Sequence, residues 1–494
     1  MKRYIFILFL VSIQVFPVTY FSHLSNAWYP NKSKQLRRKL DFLEDKVSKN
    51  LLVSLNPEKI KAILVPHASY DYSGVVAASA YQVLKNSKFK RIFIVGPSHY
   101  VPFQGVALLE KKYEKFGNEA GSISLDLKTL KKLRNDESGL FKVVQRAYDL
   151  EHSIEMQIPF IQAYSSSSKI IPLLLGELSH QDMDQLANIL RSIADDETLF
   201  VFTSDLTHFG KSFSYVPFDR DISDNITNLD QRIVKSIQSL DRKNFEEVLY
   251  STGATICGAG PIKLLLALYE NSFSTVYVTG YDRSTKESSP THSVSYVSLV
   301  VSSEKKSEIP LNYQLTGYEK MVLKKLAEQT LKNLFLKNWK CSSSFYILTE
   351  TLHDQDGVFV TLNDKNHKLR GCIGRITSHQ PLYESVCAMT RAAALEDLRF
   401  NPVRESEIAD LSVEISILTY PQEIDMYKKI KIGTDGIILK YKDRSSIFLP
   451  QVPVEQGWNL EKTLEELSKK AGLQSTDYQN EDATFEIFQA LKIV

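Results

Sequence analysis

The chain has 494 residues, 43% hydrophobic and 24% charged, which is too long for one ordinary core and too apolar for disorder. Lys plus Arg number 60 against 58 Asp plus Glu, a net charge of +2, so no broad basic footprint argues for nucleic acid. Four cysteines with no CxxC pair exclude a zinc finger and a disulfide scaffold, and leave room for one structural disulfide among Cys341, Cys372 and Cys387.

The first 27 residues read as a leader. Lys2 and Arg3 precede an apolar run from Tyr4 to about Val18, and Ser25-Asn26-Ala27 puts small residues where a signal peptidase reads. Three readings compete: a cleaved signal peptide, an uncleaved membrane anchor that Gln14 and Pro17 weaken, and a buried first strand in the segment 17–21. An exported, periplasmic or membrane-anchored address is favoured over a cytoplasmic one.

Leu36, Leu40, Leu43 and Val47 recur at helical spacing over 31–47. Three apolar runs then end alike. Ala62 to Val65 breaks at Pro66 and delivers His67, Ile92 to Val95 breaks at Gly96-Pro97 and delivers His99, and the run from Leu199 delivers Asp205 and His208. Short apolar runs closed by Gly or Pro are the pattern of buried parallel strands, and ligands bind beyond the carboxyl ends of such strands. One rim is therefore expected to gather these side chains.

Helices are expected over 72–85, 125–133 and 186–193, and as a pair over 225–250. The stretch 150–164 is expected to place His152 and Glu155 on one helical face, a spacing able to build a metal site but more often a surface contact. Pro172 belongs at the start or edge of the strand 169–178. Cys257, flanked by Gly258 and Gly260 ahead of an apolar helix, is biased toward thiolate. Strands over 274–282 and 293–303 close the unit, and the polar stretch 302–310 reads as a linker.

The remainder reads as α+β: a helix over 316–335, a hairpin over 356–376 carrying Gly371, Cys372 and Gly374, a helix over 382–397, a strand over 411–419, a hairpin over 436–452 and a helix over 460–472. Cys372 reads as a small strand residue between glycines. The resulting boundaries are 1–27 leader, 28–303 first domain, 304–312 linker and 313–494 second domain.

His67, His99 and Cys257 supply two nitrogen donors and one soft sulfur donor, a set suited to iron, copper or zinc and poorly suited to magnesium or calcium. Three ligands leave an open position, and Asp205 with His208 supplies candidates for proton transfer or for holding a ligand imidazole.

The segments AWYP (27–30), VPHASYDYSG (65–74), GPSHYVP (96–102), EHSIEMQIPF (151–160), SDLTHFG (204–210) and TICGAGPI (255–262) resemble the Memo family in order and type. LRGCIG (369–374), ALEDLRFNPV (394–403) and FLPQVPVEQGW (448–458) resemble the AMMECR-type domain. The chain is thus similar to a fusion of proteins B and A of the AmmeMemoRadiSam system, whose third component is a radical SAM protein. The resemblance implies a class III extradiol dioxygenase-like α/β domain with a mainly parallel central sheet, followed by an α+β domain. It implies iron or copper on His67, His99 and Cys257, a catalytic histidine at His208, and a radical SAM partner. A dioxygenase keeps a carboxylate where Cys257 stands, which argues against ring cleavage.

Three functional readings follow: a metal-dependent oxidoreductase, a protein that binds and delivers copper without turnover, and a scaffold that recognises peptides or protein partners on a dioxygenase-like fold. The small-molecule or peptide ligand is not specified by the residues. The leader adds membrane association as a further expectation.

Overall fold

The protein is described from a computed structural model, which covers residues 17–21, 24, 27–47, 55–85, 87, 89–304, 315–337, 339–341 and 343–494. Most of the leader, including Ser25 and Asn26, and most of the expected linker 304–312 lie outside the described residues.

Among the described residues, the first domain is built on a nine-stranded mixed sheet. Its centre is four parallel strands, in the order Ile60–Val65, Thr198–Thr203, Arg91–Pro97 and Lys169–Leu175. Nearly every residue of these strands is buried, because helices cover both faces and neither face needs polar side chains. The parallel register Val65 to Thr203, with Phe202 opposite Val95, brings three strand ends level, so the His67, Asp205 and His99 loops leave one edge together.

On one flank the long strand His292–Ser302 pairs antiparallel with Ile60–Val65, with Thr275–Arg283 and, at its first residues, with His208–Gly210. On the other flank Val106–Leu108 and Phe141–Val143 extend the sheet. The sheet is therefore mixed: its centre and the outer pair Val106–Leu108 with Phe141–Val143 are parallel, and the remaining pairings are antiparallel.

The helix Ser33–Lys46 buries Leu36, Leu40 and Leu43 as its spacing predicts. Gly74 opens the next helix, Gly74–Tyr81, directly against Leu43, where a Cβ would lie 2.7 Å from the leucine's Cδ1. Pro172 sits in mid-strand rather than at an end. Its carbonyl accepts from the Tyr148 hydroxyl at 2.8 Å on the side away from Arg91–Pro97, so the missing N–H costs no ladder hydrogen bond there.

Thr19–Phe21 forms a strand parallel to Lys115–Gly117, with Tyr20 buried against the rings of Tyr113, Phe116 and Tyr148. The buried-strand reading of 17–21 thus describes the segment just before the expected cleavage point. Among the described residues, no helix is long and apolar enough to cross a membrane.

The second domain is α+β, with two four-stranded antiparallel sheets among the described residues. One has the order Leu369–Arg375, Gly357–Asn363, Ser412–Leu418, Ala490–Ile493, and the helices Gly317–Lys332 and Leu382–Leu395 pack on it. The other has the order Gln422–Ile424, Thr484–Phe488, Gly436–Tyr441, Arg444–Phe448, and its core closes around the helix Leu460–Lys470. Cys341 and Cys387 form a disulfide, while Cys257 and Cys372 carry free thiols. A Cβ on Gly371 would lie 2.1 Å from the Ala393 carbonyl, which is the close backbone approach expected of that glycine.

Candidate metal centre

A cavity of about 930 Å³ opens at the level strand ends, and His67, His99, His152, Asp205, His208 and Cys257 all line it. Among the described residues, two donor triads share His67: His67 with His99 and His152, and His67 with Asp205 and Cys257. In each triad the donor atoms lie within 4.8 Å of one another. The three ligands expected from the sequence come to one cavity, with His99 and Cys257 in different triads that meet at His67.

His99 and His67 are each held through Nδ1. His99 donates from Nδ1 to the Glu151 carboxylate at 2.8 Å, and its backbone N–H reaches the other oxygen at 2.6 Å. That bond leaves His99 Nε2 as the donor atom, the carboxylate–histidine arrangement that orients metal ligands. His67 meets Thr203 Oγ1 through Nδ1 at 2.9 Å and Cys257 Sγ through Nε2 at 3.1 Å. Its backbone N–H donates to Asp205 at 2.9 Å, so the Asp205 carboxylate anchors the His67 loop.

His152 is not on a helix face with Glu155. The helix Gln145–Leu150 ends where the Glu151 carboxylate captures the N–H groups of His152 and Ser153, at 2.8 and 2.9 Å, and the chain turns before the 3-10 turn Glu155–Gln157. Glu155 instead accepts from the Tyr29 hydroxyl at 2.8 Å. The freed His152 ring stacks on His99 at 4.7 Å and lies 4.2 Å from Trp28, and its Nδ1 sits 3.2 Å from the Glu151 carboxylate.

Cys257 precedes the helix Ala259–Tyr269, as its sequence position predicts. Gly258 is what brings it there: a Cβ would lie 2.4 Å from Ser204 Cβ and 2.6 Å from the Thr203 carbonyl, so only glycine lets this turn press on the strand end. Gly260 has no such role, with its nearest contact at 4.0 Å. The expected thiolate bias does not hold for the metal-free chain. Burial, then the nearby Asp205 charge, pushes the thiol well above its usual range.

The remaining electrostatics follow burial. Desolvation, then the charge of His99, lowers His67 well below the usual histidine value, and desolvation with His67 lowers His152 to about 3. Burial alone would raise Glu151, but the His99 hydrogen bond and the His99 and His152 charges hold it at about 2. Burial raises Asp205, against the charge of His208 and the N–H groups of His67 and Ala68. His67 and His152 are therefore held neutral beside an ionised Glu151, as metal-binding imidazoles must be, while Cys257 would have to give up its proton to join them.

A profile of the Memo family, described as Memo-like protein, matches residues 22–300, and a second profile, AMMECR1, matches residues 324–493. The chain belongs to the Memo family. It is a fusion of that domain with an AMMECR1 domain. It is 33% identical over 255 residues to the protein memo-1 homolog of Caenorhabditis elegans, a match covering 50% of this chain and 70% of that protein. It is 32% identical over 251 residues to human protein MEMO1, covering 49% of this chain and 81% of that protein. The crystal structure of uncharacterized protein PH0010 from Pyrococcus horikoshii aligns at 35% identity and a TM-score of 0.33, over 35% of this chain and 90% of that one.

Sequence reasoning did not assign Glu151, Thr203 or Trp28 to the Memo site, and it paired His152 with the wrong glutamate. The juxtaposition Glu151-His152 was the available signal. Thr203 carried none, and the AWYP segment marked Trp28 as a family feature without pointing to its contact with His152.

Proposed function

We propose that the Memo domain is a redox metalloprotein that holds iron or copper on His67, His99 and Cys257, with His152 as the nearest further nitrogen. The observation that carries this reading is the convergence of two donor triads on His67 within one cavity. The residues fit such an ion. His99 keeps Nε2 for it because Nδ1 is committed to Glu151, His152 Nδ1 lies 3.2 Å from the same carboxylate and so leaves its own Nε2 available, and a thiol beside imidazoles is a soft set suited to these metals.

When bound, iron or copper supplies one-electron chemistry and an open position for a small ligand. The protein's own residues prepare that position. Trp28, Phe213 and Tyr296 wall the cavity with apolar surface, and among the described residues no Lys or Arg lines it, so a neutral ligand is favoured over an anionic one. His208 bonds the Leu206 carbonyl through Nδ1 at 2.8 Å, which leaves its Nε2 to take or give a proton.

Metal content after anaerobic purification of the full chain tests the proposal, with His67→Ala and Cys257→Ala prepared alongside. Near-stoichiometric iron or copper lost in both variants supports it, and a folded parent that neither carries nor takes up either metal overturns it. The copper-delivery reading is favoured by the thiol, and His208→Ala separates the two. Lost turnover with retained metal marks an enzyme, whereas unaltered copper transfer marks a carrier.

An exported address with a retained leader is proposed for the whole chain. The disulfide Cys341–Cys387 favours an oxidising compartment, and the strand Thr19–Phe21 argues against removal of residues 1–27. A radical SAM partner in the cytosol competes with that address, so locating the chain decides between them.

A further inference from the structure

The AMMECR1 domain grips the helix that supports the His208 loop. Thr227, on the helix Ile222–Gln238, donates to the Ser344 carbonyl at 2.6 Å. One turn later the Gln231 amide embraces the Leu348 peptide, donating to its carbonyl at 2.6 Å and accepting from its N–H at 2.7 Å. Arg283, buried at the end of its strand, donates to the Ser344 carbonyl at 3.4 Å and lies 4.8 Å from the centre of the Phe345 ring.

The residue between those two helix contacts points the other way. Asp230 is fully buried and accepts from the Thr207 hydroxyl at 2.6 Å and the Tyr281 hydroxyl at 2.7 Å. A buried carboxylate is costly unless donors and a countercharge meet it, and the Arg283 guanidinium supplies the countercharge. The same arginine therefore touches the second domain and steadies Asp230.

Thr207 immediately precedes His208. The Thr207 carbonyl accepts from Ser295 N–H at 3.0 Å, and Leu206 N–H donates to the Ser295 carbonyl at 2.7 Å, so the loop is clamped on both sides. A carbonyl can only accept, so the Leu206 contact puts the proton of neutral His208 on Nδ1. That tautomer depends on the loop keeping its shape.

We propose that the AMMECR1 domain braces the Memo cavity, with Asp230 as the positioning residue that holds the 205–208 loop and thereby fixes the His208 tautomer. The inference rests on the proposed proton-handling role of His208, and its test does not require metal. In the metal-free full chain with ¹⁵N-labelled histidine, at about pH 8, nitrogen chemical shifts report each tautomer, and His208→Asn assigns the signal. The parent is expected to show a single Nδ1–H form. Thr207→Val, which breaks the link, and Thr227→Val with Gln231→Ala, which breaks the docking, are each expected to give averaged tautomers, while amide protection in 60–65 and 91–97 persists. Where the double variant loses that protection, Phe345→Ala provides the milder undocking with the same readout. A single Nδ1–H form retained in Thr207→Val, or retained while amide exchange over 344–348 rises, overturns the brace. Absence of metal in the parent would overturn the proposed function and leave this result standing.

Discussion

Glu151 binds His99 twice, through the ring Nδ1 at 2.8 Å and the backbone N–H at 2.6 Å, so one carboxylate sets both the position of the His99 loop and the direction of its free nitrogen. Glu151→Gln keeps the shape but lets His99 flip or change tautomer. Affinity for ferrous iron or cuprous copper should fall about 10- to 100-fold in an anaerobic chelator competition, as for other carboxylate partners of ligating histidines. Unchanged affinity would show that His99 does not use Nε2 on the metal.

Gly258→Ala forces a methyl into Ser204 and the Thr203 carbonyl. Either the turn lifts, carrying Cys257 from His67, or the strand end shifts. Denaturant unfolding should register a loss of about 1–3 kcal/mol, and bound metal should drop with it. Gly260→Ala, with open space, should do neither.

Acid should destabilise the metal-free chain. His152 is held at about 3, against an ordinary value of 6.5, by burial first and His67 second. Below about 6.5 the unfolded chain takes up a proton that the folded chain refuses, so this contribution is complete above about 6.5 and declines as pH falls toward about 3. His67, lowered by burial, acts with the same sign. Glu151 adds a further loss as pH falls from 4.5 toward about 2, because its folded-state value is depressed. Melting temperature measured against pH should fall through this range, and His152→Asn should flatten the upper part. A parent profile that is level from about pH 7 to about pH 4 would contradict the burial argument.

The retained leader is tested through Tyr20, whose ring packs against Tyr113, Phe116 and Tyr148. Tyr20→Ala should cost about 3 kcal/mol, in the range of large aromatic truncations. Intact-mass measurement of the mature protein should find residues 17–27 present. A mature terminus at Trp28 with full stability would remove this strand from the native fold.

The sequence exposed the rim because strand ends leave local marks: an apolar run, a Gly or Pro, then a histidine. Cys257 was legible for a similar reason, since the glycine after it has a steric task. His152 was misjudged because a three-residue spacing suggests a helix, whereas the Glu151 side chain takes the N–H groups that would continue one. Thr203 and Trp28 touch the histidines only through tertiary packing, and no local pattern marks that. The Asp230 link to Thr207 spans 23 residues between a helix and a loop, and was equally silent.

X-ray absorption at the metal edge of the full chain, loaded anaerobically with ferrous iron or cuprous copper, bears most directly on the central claim. The account predicts nitrogen scatterers typical of imidazole together with one sulfur. The sulfur should vanish in Cys257→Ser and binding should fail in His67→Ala. A shell of oxygen alone, or one unchanged in both variants, would place the metal elsewhere and contradict the account.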